Sequence, residues 1–375
     1  MDSINDSYFS PDHATARARF LAAVHAAGGS LESLELSAKG PSDEPLFIDI
    51  AWFGADAPKR VLLHSSGVHG VEGFSGSAIQ LQWLVRGLPD LPEDSAIVIA
   101  HIINPYGMAW LRRFNENNVD LNRNFFAEDE RYSGAPEGYR ELDSSLNPKS
   151  PPSQDFFYLK AGLLVARHGM TALKQSIAGG QYENSKGLFF GGRRLEEGPR
   201  KLQAFVAERL KTAHEVTVVD IHTGLGPYGE DTLLVFAGDE GSEIYQEMKK
   251  AYGERVAPLD PEASVAYRIR GAYDSMFARA LPNAKVRYVC QEFGTYHGIR
   301  VLKALREESR WAHYGEGGVD HPAKLALKEA FQPADRDWGR AVLERGAVVI
   351  EQALGLAGIG LSDRTGTPQT SSGRS

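Results

Sequence analysis

Short unbroken apolar blocks alternate along this chain with stretches in which apolar side chains recur every three or four residues. Residues 61–63 (Val-Leu-Leu) and 96–100 (Ala-Ile-Val-Ile-Ala) are continuous runs, the pattern of strands covered on both faces. Residues 46–53 alternate apolar and polar as a strand does, and residues 76–86, between the two runs, have helical spacing. Phe20, Leu21 and Val24 predict a first helix over residues 14–27, bounded by Pro11 before it and Gly28-Gly29 after it. Further strands are predicted over 216–221, 232–237 and 286–290, and helices over 159–177, 200–214, 323–331 and 338–354. This strand–helix–strand order predicts an α/β sheet with helical crossovers. Residues 127–157 break the pattern, and the Ser- and Pro-rich stretch 144–153 reads as an exposed loop. No repeat or internal boundary interrupts the rest, so a single domain over residues 1–361 is expected. The Thr- and Ser-rich tail, 362–375, is expected to be disordered.

Composition narrows the class. The 375 residues are 42% apolar and 24% charged, as in ordinary globular proteins. The net charge is −8 with the two signs interleaved, which leaves no basic face for nucleic acid and no polybasic membrane anchor. No apolar stretch is long enough to span a bilayer, and the first residues lack the basic and apolar regions of a signal peptide. A lone cysteine, Cys290, excludes an internal disulfide framework and fits a reducing compartment, so a cytoplasmic location is expected. Nothing in the sequence specifies an oligomeric state.

The chemistry lies just beyond the apolar runs. His69 and Glu72 follow the first run, His222 ends a second and Glu292 ends a third. Ligands in open α/β sheets bind outside the carboxyl ends of strands, so four such residues at one edge say more than any single motif. A His-x-x-Glu spacing alone arises often by chance, and a histidine capping the next helix would explain it as well. Two histidines and a carboxylate are what a catalytic Zn²⁺ requires with its fourth position left open, and the remaining glutamate is then available as a base. A second cluster runs through Asn104-Pro105-Tyr106-Gly107, Arg112-Arg113 and Asn118-Val119-Asp120-Leu121-Asn122-Arg123-Asn124-Phe125. Its arginines suit bidentate recognition of carboxylates, and its alternation of arginine with asparagine and aspartate favours a packed network over a solvated loop. Asp220 shares a strand face with His222 and could orient a ligand or serve as a buried structural acid. His64, His101 and His297 read as core or supporting histidines, and Cys290 as inert packing. Ser75 lacks the Gly-x-Ser-x-Gly spacing of a nucleophile elbow, which argues against a serine hydrolase. The glycine pairs 179–180 and 191–192 bracket Tyr182, Phe189 and Phe190, either a substrate-facing loop or an ordinary connection.

Taken in order, His69-x-x-Glu72, Asn104-Pro105-x-Gly107, Asp120-Leu121-Asn122-Arg123-Asn124-Phe125, His222 and Glu292 resemble the zinc carboxypeptidase (M14) superfamily. More narrowly, Ser66-Gly67-Val68-His69-Gly70-Val71-Glu72-Gly73-Phe74 and Asp220-Ile221-His222-Thr223-Gly224 resemble its DUF2817 branch, near the succinylglutamate desuccinylase and aspartoacylase-like deacylases. The resemblance covers roughly residues 8 to 355. It implies a mixed, mostly parallel sheet of about eight strands with helices on both faces, and one zinc per chain held by His69, Glu72 and His222. It also implies that Arg113 polarises the scissile carbonyl, with Arg112 as a substitute. Asn122 and Arg123 would bind the substrate's terminal carboxylate, and Glu292 would act as general base and then acid. The peptidases carry a mobile tyrosine upstream of the catalytic glutamate; here Tyr267 and Tyr273 are the candidates. The implied reaction is hydrolysis of an amide bond next to a free carboxylate, carboxypeptidase-like on a small peptide or deacylating an N-acyl amino acid. A catalytically silent, metal-binding receptor for small acidic ligands is a third reading, and Glu292 argues against it, because a receptor needs no general base.

Overall fold

A computed structural model describes residues 8–127, 131–235, 242–258 and 269–359. The sheet contains β1 (Ser30–Lys39), β2 (Pro45–Gly54), β3 (Arg60–Ser66), β4 (Ser95–His101), β5 (Glu215–Thr223), β6 (Asp231–Val235), β7 (Val256–Pro258) and β8 (Lys285–Phe293). Their order is β1-β2-β4-β3-β5-β8-β6-β7. The central strands β4, β3, β5 and β8 run parallel, and the antiparallel pairs lie toward the two sides. This is the mixed, mostly parallel eight-stranded sheet expected.

Strand alternation explains why both faces are covered. Leu62, Ile97, Val219 and Val289 point to one face, where the helices His13–Ala26, Gly73–Arg86 and Arg336–Leu356 bury them. Val61, Leu63, Val98, Val216 and Val218 point to the other, against the helices Glu197–Arg209 and Asp274–Ala280. A third apolar cluster, including Val71, Phe114, Phe189, Val301 and Phe331, lies where the helices Gly298–Tyr314 and Pro322–Phe331 pack together.

Several elements differ from the sequence reading. The helix expected over 159–177 is two, Phe157–His168 and Met170–Ala178, because Gly169 takes φ +77 between them. The segment 127–157, which breaks the pattern, contains the helix Tyr139–Leu146, whose last turn runs into the expected loop 144–153; it buries Tyr139, Leu142 and Leu146 on one side. The edge strands β1 and β7 and the helix Gly298–Tyr314 were not expected. β1 is mostly exposed and strongly polar, and β7 has three residues, so neither carries the apolar run that marked the central strands. The expected strand over 232–237 ends within the described residues at Val235, and the tail from 362 lies outside them.

His64 and His101 are core residues. His101 stacks on Phe20 and pairs with Ser77, whereas His64 sits against Gln80. Burial pushes His64 down to about 4, outweighing the opposite pull of Asp220. Unfolded, the ring takes up its proton near pH 6.5, and folded it stays neutral until about 4. Its contribution is therefore complete above pH 6.5, falls as the pH drops toward 4 and then levels off. At about pH 5 the wild type should have lost about 2 kcal/mol more than His64→Gln, relative to about pH 7.5. Urea unfolding at the two pH values measures this, and equal losses would show that His64 is not held neutral.

Candidate active site

Three of the central strands, β3, β5 and β8, deliver the site. Gly67, with φ +71, turns the chain sharply as it leaves β3, and its carbonyl accepts from Asn104 N at 2.8 Å. The Asn-Pro-x-Gly segment then holds the following loop. Asn104 Oδ1 accepts from Gly107 N at 2.8 Å, and its Nδ2 donates to the Arg113 carbonyl at 3.1 Å. The Arg113 and Arg112 carbonyls in turn accept from Gly70 N and Val71 N. The two backbones touch here: a Cβ on Gly70 would lie 2.2 Å from the carbonyl carbon of Gly107. Gly70→Ala should therefore cost about 1–3 kcal/mol and displace His69. Thermal unfolding measures the cost, and an unchanged melting temperature would show that the loops can part freely.

His222 and Glu292 occupy equivalent positions on neighbouring strands, as Cα partners in the β5–β8 ladder. They stand on the same sheet face, beside the His69 loop. His69 Nδ1 lies 3.0 Å from Glu72 Oε1 and 3.1 Å from His222 Nδ1, and His222 Nδ1 lies 3.3 Å from Glu72 Oε2. All three side chains are buried. A tetrahedral shell with zinc–nitrogen and zinc–oxygen distances of about 2.0–2.2 Å has ligand atoms roughly 3.3 Å apart, so these atoms fit one small dication.

Carboxylates lie behind the rings. His222 Nε2 is 2.7 Å from Asp220 Oδ2, and His69 Nε2 is 3.1 Å from Asp120 Oδ1. An Nε2–H on each ring satisfies these acids and leaves both Nδ1 lone pairs facing each other, an arrangement that suits a cation between them. Asp220 is itself fixed by Ser65 Oγ and Tyr288 OH, donating at 2.7 and 2.8 Å. His69 has a second hydrogen-bonding choice: Nδ1–H can donate to Glu72 while Nε2 accepts from Arg113 at 2.7 Å.

Charge is concentrated here. Burial opposes ionisation of Glu72 and Asp120, yet His69, Arg113 and other nearby donors and cations hold both well below the usual carboxylate range. Burial likewise opposes a charge on His222, and Asp220 with Glu72 outweighs it, raising the imidazole well above its ordinary value. Glu292 is different. Burial, reinforced by the Glu72 carboxylate, pushes it up to about 8. Its Oε1 accepts from Leu225 N at 3.0 Å.

The remaining candidates divide. Arg113 Nε donates to Asp120 at 3.0 Å and its Nη1 to Glu72 at 2.8 Å, which brings its guanidinium to the edge of the ligand cluster. Arg112 turns away to a buried network, donating to Glu308 and Asn118 at 2.9 Å while Lys324 donates to the same Glu308 oxygen. Its guanidinium is engaged in that network and not with the ligand cluster. Asp120 caps the short turn Leu121–Arg123 by accepting from Asn122 N, which sets Asn122 and Arg123 along the cleft. Arg123 is buried and donates through Nε and Nη2 to the Ala178 carbonyl and through Nη1 to the Asn122 carbonyl. Tyr273 is not at the cleft: its ring is buried among Phe125, Phe277 and Tyr288, because its helix packs on the apolar sheet face. Tyr267 lies outside the described residues.

Two minor readings change. Cys290 is buried but lines the cleft, and His222, Cys290 and Glu292 could offer a second ligand set with atoms within 4.8 Å of one another. Burial and the nearby Glu292 push its thiol well up. His297 is exposed and caps the helix Gly298–Tyr314, accepting from Ile299 N, so it is not a core histidine. Sequence reasoning quoted Asp120 without giving it a task; an acid among so many donors was the available signal. Phe189, which lies over the Arg113 and Arg123 guanidiniums at 5.4 and 5.9 Å, carried no signal beyond the glycines around it.

Among solved structures the chain is similar to carboxypeptidase A from Helicoverpa armigera, at 15% identity and TM-score 0.44, covering 86% of this chain and 74% of that one. It is also similar to the murein-tripeptide amidase MpaA from Escherichia coli O157, at 17% identity and TM-score 0.37, covering 75% and 92%. Bovine thrombin-activatable fibrinolysis inhibitor matches at 10% identity and TM-score 0.40, covering 92% and 99%. No curated protein matches the chain. The family model described as "Protein of unknown function (DUF2817)" matches residues 9–345, a span that includes His69, Glu72, His222, Glu292 and all eight strands. On that match the chain belongs to the DUF2817 family.

Proposed function

We propose that this protein is a zinc-dependent hydrolase of amide bonds next to a free carboxylate. The observation that carries the reading is the convergence of His69 Nδ1, His222 Nδ1 and the Glu72 carboxylate at 3.0–3.3 Å, beside Glu292. Zinc held there would supply Lewis acidity, drawing electron density from a carbonyl and making water acidic near neutral pH.

The protein's own side chains do the rest. Asp120 and Asp220 hold the two imidazoles in the tautomer that presents Nδ1. Glu292 in its ionised form, which a cation held beside it would favour, accepts a proton from the attacking water and returns it to the departing amine nitrogen. Arg113 places fixed positive charge where the carbonyl oxygen gains negative charge. Asn122 and Arg123, which line the same cleft, receive the substrate's carboxylate. The buried Cys290 thiol fits a cytoplasmic location.

Elemental analysis and a substrate panel test this reading. About one zinc per chain is expected, with hydrolysis of blocked dipeptides or N-acyl amino acids that chelation abolishes and zinc restores. Hydrolysis that is indifferent to chelation, or zinc-loaded protein inert on the whole panel, would overturn it.

A further inference from the structure

The cleft, about 190 Å³, does not end at the ligand cluster. It continues into a lobe walled by the helices Phe157–His168, Met170–Ala178 and Gly298–Tyr314. Ala161, Leu164, Leu173, Ile177, Leu302 and Leu305 supply its surface. The polar side chains lining this part are Ser145 and the exposed Lys160 and Lys174.

Two features limit what can occupy such a lobe. First, its walls are helices, whose backbone N–H and C=O groups beyond the end turns are bonded to one another. An extended peptide laid along them would leave its own amides without partners, at about 1–3 kcal/mol for each one buried. A hydrocarbon chain has no such requirement and gains from burial. Second, Phe157 and Leu164 both face the cleft and are seven positions apart on one helix, a wall of roughly 10 Å at 1.5 Å per residue. That length exceeds any apolar amino-acid side chain.

We infer that the preferred substrates are N-acyl amino acids with a medium- or long-chain aliphatic acyl group, which the lobe between these three helices receives. This rests on the proposed amide hydrolase reading and selects its deacylase form. The reaction balances without a further reactant: water adds across the C–N bond, releasing a fatty acid and an amino acid.

The test uses N-acetyl-, N-octanoyl- and N-dodecanoyl-alanine with full-length, zinc-loaded protein. Dissociation constants are measured calorimetrically on Glu292→Gln, and kcat/KM on the wild type. From acetyl to dodecanoyl, both binding and kcat/KM should improve at least about 100-fold, well within the roughly fourfold available for each buried methylene. Ala161→Trp, which puts a ring into the lobe from a partly exposed position, should shift the optimum to a shorter chain. Affinity that ignores acyl length, or depends only on the amino-acid side chain, would overturn the inference. Affinity that rises with chain length while no amide is cleaved would leave the lobe assignment standing and defeat the hydrolase reading. Efficient cleavage of N-acetylalanine or blocked dipeptides without a chain-length effect would do the reverse. An optimum unmoved in Ala161→Trp would place the chain elsewhere.

Discussion

Glu292→Gln should keep about one zinc per chain and lower kcat by about 10²–10⁴-fold. The amide has nearly the shape of the acid, and its oxygen can still accept from Leu225 N. What it cannot do is take a proton. The His69, Glu72 and His222 atoms are untouched, so metal content and turnover should separate. Steady-state kinetics beside elemental analysis on one preparation gives both numbers, and normal kcat with zinc in place would remove Glu292 from the reaction.

His222→Ala should have the opposite signature, with zinc lost first and activity with it. It deletes one corner of the ligand triangle, so zinc affinity should fall by much more than the 10–100-fold typical of losing an outer hydrogen-bond partner. Collapse of the site is not expected, since Asp220 retains Ser65 and Tyr288. Zinc retained after dialysis against a weak chelator, with far-ultraviolet circular dichroism as the control for folding, is the measurement. Retention equal to wild type would exclude His222 as a ligand.

The central sheet and the cluster at its edge were legible for a common physical reason. Strands covered on both faces must be nearly all apolar, so a polar residue at the end of such a run, as with His222 or Glu292, stands out. The roles of Arg112 and Arg113 were harder to separate, because adjacent residues in a loop can point to opposite sides and only the fold shows Glu308, far along the chain, waiting for one of them. Tyr273 misled for a related reason: a tyrosine near the right place in the chain says nothing about its face, and this one is enclosed by aromatic rings. The lobe was out of reach because its walls come from a region with weak periodicity and from a helix, Gly298–Tyr314, whose many charges hide its buried stripe.

The order of the strands also constrains when the proposed site can assemble. β3, β5 and β8 are neighbours in space, but their ends lie near residues 66, 223 and 293. A nascent chain that has exposed His69 must wait for about half of the remaining polypeptide before His222 arrives, and for longer still before Glu292. Parallel pairings between such distant segments form late and slowly. If the three residues do hold zinc as proposed, a ribosome-bound fragment stalled before β5 lacks His222 and should hold no tightly bound ion.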